Sequence, residues 1–306
     1  MNILVTGATG FIGSKFIKYL NEQKKEDDNV ILLTSREIEG FTCILHHNYT
    51  FSVRDFWDRG VQHIDAVIHI GAFVSNNPKE RDSAVKHFKT ILNTEYLLNN
   101  LPNIPDKIVY LSTVAVYGFG FSDVYTDDDK VYSEQTSIQT NSNYARAKYY
   151  CEQLIKEYGE RYNCKISILR IGNIYGWNSV NFLGYMLKAA VMGKEFHMYA
   201  HPQCIWNYVF VNDVIKWIYA ALIKESLPEV INLTSSANYT SLQICDLMKL
   251  NFKDFNCIIE NPEIYYGADR RFNSDVREHY LGEETYNLND GIQEIKRNAK
   301  DVRDSR

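Results

Sequence analysis

The sequence predicts an α/β fold built around a doubly wound parallel sheet. Short apolar runs alternate with helix-period stretches through the first half of the chain, and a glycine-rich turn follows the first run directly. Crossovers between parallel strands are right-handed, which places the connecting helices against the sheet. After about residue 170 the alternation loosens, and we expect a smaller α/β region there.

Five apolar runs are the predicted strands of the sheet, because parallel strands buried on both faces are continuously apolar. They cover residues 3–6, 30–33, 66–70, 108–112 and 166–170. Helical periodicity between them predicts helices near residues 11–22, 82–100 and 143–162. In the C-terminal part the same patterns predict helices near 179–193, 212–224, 241–250 and 288–297, with brief strands at 208–211 and 230–233.

Composition and charge exclude several functional classes. A net charge of −5 over 306 residues gives no basic surface for a phosphate backbone, so nucleic-acid binding is not expected. No apolar run is long enough to cross a bilayer, and Met1-Asn2 offers no basic n-region of a signal peptide, so we expect a cytoplasmic protein. The 6 cysteines and 8 histidines show no metal-ligand spacing, which predicts free thiols and no metal site.

The glycine-rich turn lies between the first predicted strand and the first predicted helix. Gly7 permits the tight turn, Gly10 lets the backbone approach a pyrophosphate, and Gly13 lets helix and strand pack closely. The helix N-terminus adds free N–H groups and the positive end of its dipole. A turn that binds nothing is the alternative, but its position at the start of an α/β chain favours a dinucleotide. The turn's other expected cofactor contacts are Thr9, Phe11 and Ile12.

A tyrosine and a lysine lie four residues apart in the helical stretch of residues 143–162. This spacing places Tyr144 and Lys148 on one helix face, a turn apart. A phenol is a poor acid or base at neutral pH until a neighbouring ammonium stabilises its anion, and Lys148 can supply that ammonium. Such a pair recurs by chance in a chain with 22 tyrosines. Its position after residues 111–118, where a predicted strand ends, is what favours a functional role.

These motifs, in this order, resemble those of the extended short-chain dehydrogenase/reductases, within the NAD-dependent epimerase/dehydratase family that modifies nucleotide sugars. The resemblance covers roughly residues 1–215. It implies a Rossmann-type sheet and a catalytic set of Thr113, Tyr144 and Lys148, in which the Thr113 hydroxyl bonds the reacting sugar oxygen. Ser112 is the neighbour that competes for this role, and a strand-capping function for both hydroxyls is the structural alternative.

The resemblance also implies further contacts. The stretch 51–55 matches the end of the family's third strand, which assigns Ser52 and Val53 to the adenine. His69, in the fourth-strand motif, is expected to be a packed structural residue rather than a ligand or base. The remaining implied cofactor contacts are Ile70, Gly71, Ala72, Tyr144, Lys148 and Ile171, and the implied substrate contacts are Ser75, Asn173, Trp206 and Arg271.

The end of the second predicted strand bears on the choice of dinucleotide. A carboxylate usually stands there to bind the ribose hydroxyls of NAD, but this strand ends in Thr34, Ser35 and Arg36. A guanidinium and two hydroxyls suit a 2′-phosphate, which a carboxylate would repel. We therefore predict NADP, with NAD still possible and a solvated Arg36 as the alternative interpretation.

Departures from the family pattern reduce the number of possible reactions. The sugar 4,6-dehydratases carry Asp-Glu directly after the catalytic Thr, whereas Val114 and Ala115 stand here and cannot move protons. Trp206 replaces an Arg that often binds the nucleotide diphosphate. Two interpretations stay open: Arg270 or Arg271 takes that role, or the substrate is not a nucleotide sugar. Three hypotheses remain open: an NADPH-dependent 4-ketoreductase of a nucleotide sugar, which we favour; an epimerase of the same architecture; and a non-catalytic NADP sensor.

Domain organisation and assembly follow from the same resemblance. We expect an NAD(P)-binding domain of residues 1–170 joined by about 205–233, and a substrate-binding region of about 171–204 and 234–306. Relatives dimerise through the helices that correspond to 82–100 and 143–162. A homodimer through these helices is therefore expected.

Overall fold

The computed structural model describes residues 1–75, 77, 79–118, 130–260 and 270–304, with side chains up to residue 298. Its strands are β1 (Asn2–Thr6), β2 (Asn29–Thr34), β3 (Thr42–Leu45), β4 (Ala66–His69), β5 (Lys107–Thr113), β6 (Val131–Tyr132), β7 (Lys165–Ile171), β8 (Asn173–Tyr175), β9 (Phe196–Met198), β10 (Ile205–Trp206), β11 (Tyr208–Phe210), β12 (Val230–Leu233), β13 (Tyr239–Thr240), β14 (Cys257–Ile259) and β15 (Arg271–Phe272). Its helices are α1 (Gly13–Gln23), α2 (Val53–Asp58), α3 (Ala84–Asn99), α4 (Asn143–Tyr162), α5 (Phe182–Val191), α6 (Val211–Ile223), α7 (Ser241–Asn251), α8 (Asp275–Leu281) and α9 (Leu288–Asp304).

A seven-stranded sheet in the order β12-β7-β5-β4-β1-β2-β3 confirms the predicted α/β class. Parallel pairings join β1 to β2 and β4, β2 to β3, and β4 to β5. In this register Thr6 stands beside Leu33 and His69, so the carboxyl ends of three strands meet at one edge. Ligands of open α/β sheets bind at such an edge, where the strand order reverses.

The predicted strands and helices are found with small shifts at their ends. The five runs of the first half become β1, β2, β4, β5 and β7, and helix α4 spans the predicted residues 143–162. Strand β5 is buried along its whole length, as a continuous apolar run requires. Helix α4 begins after Ser142, whose hydroxyl accepts from the Ala145 N–H at 3.1 Å, and ends at Asn163 with φ 53°.

The third strand is where the sequence interpretation was wrong. It lies at Thr42–Leu45, and the stretch 51–55 instead leads into α2. Ser52 is exposed and precedes α2, with its N–H and hydroxyl both bonded to the Asp55 carboxylate at 2.6 and 2.8 Å. Ser52 thus stands at the start of a helix and not at the end of a strand, and its predicted contact with the adenine stays a prediction.

The chain divides into two compact units. Unit 1 comprises residues 1–116, 140–170 and 215–231, and its core packs apolar side chains of the sheet against α2, α3 and α4. Unit 2 comprises residues 117–139, 171–214 and 232–306 and contains the two-stranded pairs β10-β13, β11-β8, β14-β9 and β15-β6. Within the residues described, no helix is both long and apolar enough to cross a bilayer.

The cysteines differ from the expectation of six free thiols. Cys245 on α7 and Cys257 on β14 form a disulfide, with their Cα atoms 6.7 Å apart. Their separation of 12 residues gave no sign in the sequence that helix and strand would lie side by side. The four other cysteines are free and buried: Cys43, Cys151, Cys164 and Cys204.

Candidate functional site: a dinucleotide cradle and a Thr-Tyr-Lys set

The turn after β1 has a shape that only glycine allows. Gly7 has φ +73°, and a Cβ there would come within 2.7 Å of the Gly71 nitrogen. The Gly10 N–H donates to the Gly7 carbonyl at 3.0 Å, and a Cβ on Gly13 would overlap that same carbonyl. The backbone is thus bare where β1 passes into α1, as a close-lying pyrophosphate requires.

A buried histidine supports this turn from the neighbouring strand. The His69 Nδ1 and the Thr6 hydroxyl are 2.7 Å apart, and the Thr94 hydroxyl lies 3.0 Å from Nε2. Burial lowers the pKa of His69 to about 3, so the ring is neutral at physiological pH. The Gly71 N–H donates to Thr6 at 3.0 Å, which fixes the turn after β4 beside the glycine turn. His69 therefore has the packed, structural role predicted for it.

A cavity of about 470 Å³ opens beside the two turns. Six of its lining residues were predicted cofactor contacts: Gly7, Thr9, Thr34, Ser35, Gly71 and Ala72. The other predicted contacts are not among the lining residues: Gly10, Phe11, Ile12, Gly13, Arg36, Ser52, Val53, Ile70, Tyr144, Lys148 and Ile171. Lining residues that sequence reasoning missed include His46, Tyr49, Phe73, Lys86, Lys89, Thr90 and Asn93.

The chemistry of the lining suits an anionic dinucleotide. Lys86 and Lys89 of α3 line the cavity, and the lining contains no Asp or Glu. Lys86 is paired with Glu80 at 2.6 Å, while Lys89 is exposed. His46, which follows β3, donates its backbone N–H to the Thr34 carbonyl at 3.0 Å and so adjoins the end of β2. Bare glycine backbone, hydroxyls and two ammonium groups are the donors that phosphate oxygens accept from.

The predicted catalytic side chains come together in unit 1, where β5 ends beside α4. The Thr113 hydroxyl lies close enough to the Tyr144 phenol to stabilise its anion. Burial raises the pKa of Tyr144, and this interaction with Thr113 opposes the rise. The Lys148 ammonium donates to the Leu111 carbonyl and lies 4.5 Å from the Tyr110 ring centre. Lowering of the Tyr144 pKa by Lys148, which the spacing suggested, is not seen here.

Helix α3 and the segment before it fix the start of α4. The Tyr144 N–H donates to the Asp82 carboxylate at 3.0 Å, and the Asn143 amide donates to the Asp82 carbonyl at 2.8 Å. The Tyr144 ring lies edge-on to His87, with ring centres 5.6 Å apart. These contacts hold the catalytic phenol at the helix N-terminus, where it is partly exposed.

In unit 2, three candidate substrate residues contact one another. The Arg270 guanidinium lies 4.8 Å from the Trp206 ring centre and donates to the Asn173 side-chain oxygen at 3.3 Å. Trp206 also donates its indole N–H to the Ser241 hydroxyl at 2.8 Å and stacks on Phe182 at 5.0 Å. The structure thus groups Arg270, rather than the predicted Arg271, with Trp206 and Asn173.

The remaining predicted substrate residues have local partners. Arg271 lies in β15, in register with Val131. The Ser75 hydroxyl donates to the Glu80 carboxylate at 3.3 Å and accepts from the Asn77 N–H at 3.2 Å. Ile171, predicted to adjoin the nicotinamide, is the last residue of β7.

Comparison with known proteins gives a family match and several relatives. The model described as the NAD dependent epimerase/dehydratase family matches residues 3–234. A dTDP-D-glucose 4,6-dehydratase of Dictyostelium discoideum is 24% identical over 79% of this chain and 60% of its own length. A dTDP-glucose 4,6-dehydratase of Haemophilus influenzae is 28% identical over 81% of this chain and 80% of its own.

Solved structures share the fold over the whole chain. A UDP-glucose 4-epimerase of Thermotoga maritima, solved with UDP-glucose, has a TM-score of 0.80 at 23% identity and matches 100% of this chain and 99% of its own. A UDP-glucuronic acid 4-epimerase of Bacillus cereus, in complex with NAD, has a TM-score of 0.77 at 20% identity and 99% coverage of both chains.

Proposed function

The chain belongs to the NAD dependent epimerase/dehydratase family, and from this premise we propose that it is an NADP-dependent reductase of a keto-sugar nucleotide. The observation that carries the proposal is the closeness of Thr113, at the end of β5, to the Tyr144 phenol on α4, together with Val114 and Ala115, which carry no ionisable group. Members of the family modify nucleotide sugars with NAD. The type of reaction and the choice between NADP and NAD go beyond this family membership.

The proton chemistry falls to Tyr144. When bound, the nicotinamide cofactor supplies a hydride to the sugar carbonyl carbon. Tyr144 donates its phenolic proton to the carbonyl oxygen, and Thr113 holds that oxygen by a second hydrogen bond. A phenol is protonated at neutral pH, and burial raises the pKa of Tyr144 further. Tyr144 therefore carries the proton that reduction requires.

Dehydration does not fit this site. The two relatives compared above are named as 4,6-dehydratases, and the sequence pattern of such enzymes has Asp-Glu directly after the catalytic Thr. Val114 and Ala115 occupy those positions and carry no ionisable group. A 4,6-dehydratase reaction would thus lack its acid and its base.

Net reduction is favoured by the charge of the cofactor cavity. Thr34 and Ser35 line it, Lys89 adds an ammonium, and the lining has no carboxylate to exclude a 2′-phosphate. These features support NADP(H), whose reduced pool drives reduction, with NAD as the alternative. Arg36 follows Ser35 and is exposed, so its guanidinium is free to reach a phosphate on the cofactor.

The substrate class is supported by unit 2. An arginine stacked on an indole and bonded to an amide presents donors to a diphosphate, which is the group shared by the nucleoside-diphosphate sugars. We assign that role to Arg270, with Trp206 and Asn173 as its supports. Position 206 thus carries a tryptophan in place of the family's usual arginine. This tryptophan stacks on Arg270.

An epimerase is the second candidate, because the same Thr-Tyr-Lys set can oxidise and re-reduce a hydroxyl. The deciding experiment follows absorbance of the reduced nicotinamide during turnover with a panel of 4-keto-6-deoxy and related sugar nucleotides. We expect stoichiometric loss of NADPH. Conversion of a sugar nucleotide to its isomer with no net loss of NADPH would transfer the function to the epimerase.

We also propose a homodimer through α3 and α4. An apolar groove of about 410 Å³ runs between these helices, lined by Val85, Phe88, Ile91 and Tyr150 among others. Val85 is 71% exposed and Tyr150 is 59% exposed, which is unusual for large apolar side chains that cluster together. A second copy of the same pair of helices would cover this face.

A further inference from the structure

A buried carboxylate lies directly behind the catalytic residues. Glu152 is 0% exposed and stands one helical turn beyond Lys148 on α4. It accepts hydrogen bonds from the Ser112 hydroxyl and from Arg170, whose Nε and Nη2 lie 3.0 and 2.7 Å from its two oxygens. Ser112 and Arg170 are themselves buried, so all three groups are removed from water.

Two features connect this carboxylate with the proposed catalytic residues. Ser112 directly precedes Thr113 on β5, and Glu152 shares a helix face with Lys148. The Ser112–Glu152 hydrogen bond therefore joins the strand that carries Thr113 to the helix that carries Lys148. Arg170, near the end of β7, fixes the carboxylate from a third element with a forked pair of bonds.

Stability alone is a poor explanation for these groups. A buried ion pair gains little over well-packed apolar residues of similar size, because both charges lose their hydration. Neither Glu152 nor Arg170 takes part in the proton transfer proposed above. A role in holding the catalytic residues accounts for charges at this position.

The electrostatics of Lys148 indicate what that role is. Burial lowers the pKa of Lys148 to about 8, and the charge of Glu152 opposes this lowering. The Cys151 thiol also faces Lys148, but burial raises its pKa, which leaves Glu152 as the fixed anion. His69 is neutral, and Arg170 is paired with Glu152. The groups that act on Lys148 are thus Tyr110 and the Leu111 carbonyl on β5, Cys151 and Glu152 on α4, and His69 on β4.

We propose that Glu152 is a positioning residue that keeps Lys148 in its ammonium form and, through Ser112, fixes the strand end that carries Thr113. The inference rests on the proposed function and on Lys148 as a cofactor contact, the role that the family resemblance implies for it. A lysine is charged below its pKa, and removing a nearby anion lowers that pKa. Loss of Glu152 should therefore neutralise Lys148 at a lower pH than in the natural protein.

The test is the pH dependence of NADPH affinity, measured by cofactor fluorescence from pH 6 to 9.5 and therefore independent of any sugar. The wild-type affinity should fall as the pH rises through about 8. In Glu152→Gln the affinity should begin to fall about one pH unit lower than in the wild type. Above that pH the variant should bind NADPH roughly tenfold more weakly than the wild type, and at pH 6 the two should bind about equally. Glu152→Asp keeps the charge and should keep the wild-type midpoint.

A matched control lies on the same helix. Glu157 is exposed and pairs with Arg161 at 2.7 Å, so Glu157→Gln makes the same chemical change without touching Lys148. Its midpoint should equal that of the wild type. A uniform loss of affinity at every pH in Glu152→Gln, with an unmoved midpoint, would reduce Glu152 to a packing residue and overturn the inference.

Two further variants separate the possible failures. Glu152→Gln combined with Arg170→Met leaves no unpaired buried charge, so it carries the same test if the single variant does not fold. An unmoved midpoint there also overturns the inference. Lys148→Ala tests the premise instead: if NADPH affinity and its pH dependence are unchanged in that variant, the proposed function fails whatever Glu152 does.

Discussion

The two units hold their site residues in different ways. In unit 1, Thr113, Tyr144 and Lys148 lie on a strand of 7 residues and a helix of 20, both extensively buried. In unit 2, Asn173, Trp206 and the neighbour of Arg270 lie on strands of 2 or 3 residues, and the side chains support one another. Long, buried strands and helices fix the positions of the side chains that they carry. Short strands and loops fix them less rigidly, and substrate specificity changes more easily there. Changes in unit 1 should therefore affect the rate, and changes in unit 2 should affect the choice and affinity of the sugar.

The largest expected effect is at Tyr144. Tyr144→Phe removes only the proton-donating group, so we expect kcat to fall by about 10²–10⁴-fold with cofactor affinity retained. Tyr162→Phe, at an exposed position on the same helix, is the control and should leave kcat unchanged. A near wild-type rate in Tyr144→Phe on the true substrate would remove Tyr144 from the mechanism.

The second effect separates the two neighbouring arginines of unit 2. A charge-assisted bond to a diphosphate contributes roughly 1.5–3 kcal/mol, so Arg270→Met should weaken binding of the sugar nucleotide by about tenfold or more. Arg271→Met, at the adjacent position, should have a smaller effect, because the structure places Arg270 against Trp206 and Asn173. Calorimetric titration with the nucleotide sugar measures both, and the reverse order would move the diphosphate site to Arg271.

A third effect concerns the cofactor side of unit 1. NADPH should bind at least about tenfold more tightly than NADH, because a phosphate contact is charge-assisted. Arg36→Ala should erase most of that difference, and Lys89→Ala should reduce it, while NADH affinity stays constant. Arg54→Ala, an exposed arginine paired with Asp58 at 3.6 Å on α2, is the control. Equal wild-type affinities for the two cofactors would contradict the NADP proposal.

The smallest effect on the chemistry should come from the outer face of α3 and α4. Phe88→Asp places a charge in the apolar groove and should convert the dimer to a monomer with little change in cofactor affinity. Leu250→Asp, at a residue that is 74% exposed on α7, is the matched control and should leave the mass unchanged. A monomeric wild type in light scattering at micromolar concentration would remove the dimer from the account.

Sequence reasoning succeeded where function depends on local spacing. The glycines of the phosphate turn and the Tyr144–Lys148 pair lie within one turn or one helix, so their geometry follows from a few residues. It failed where chain segments meet by packing alone. His46 and Lys89 reach the cofactor cavity from β3 and α3, and no spacing in the sequence connects them with Gly7. Trp206 and Arg270 are likewise 64 positions apart in the sequence. Spacing alone therefore did not show which of Arg270 and Arg271 contacts Trp206.

In the proposed function, hydride passes between a nicotinamide and a nucleotide sugar beside Thr113 and Tyr144. The most direct test supplies NADPH deuterated at the transferable position with a panel of keto-sugar nucleotides and records product masses. We predict a reduced sugar nucleotide that carries one deuterium per NADPH consumed, formed by the wild type and lost in Tyr144→Phe. A product without deuterium, or deuterium transfer that persists unchanged in Tyr144→Phe, would contradict the claim.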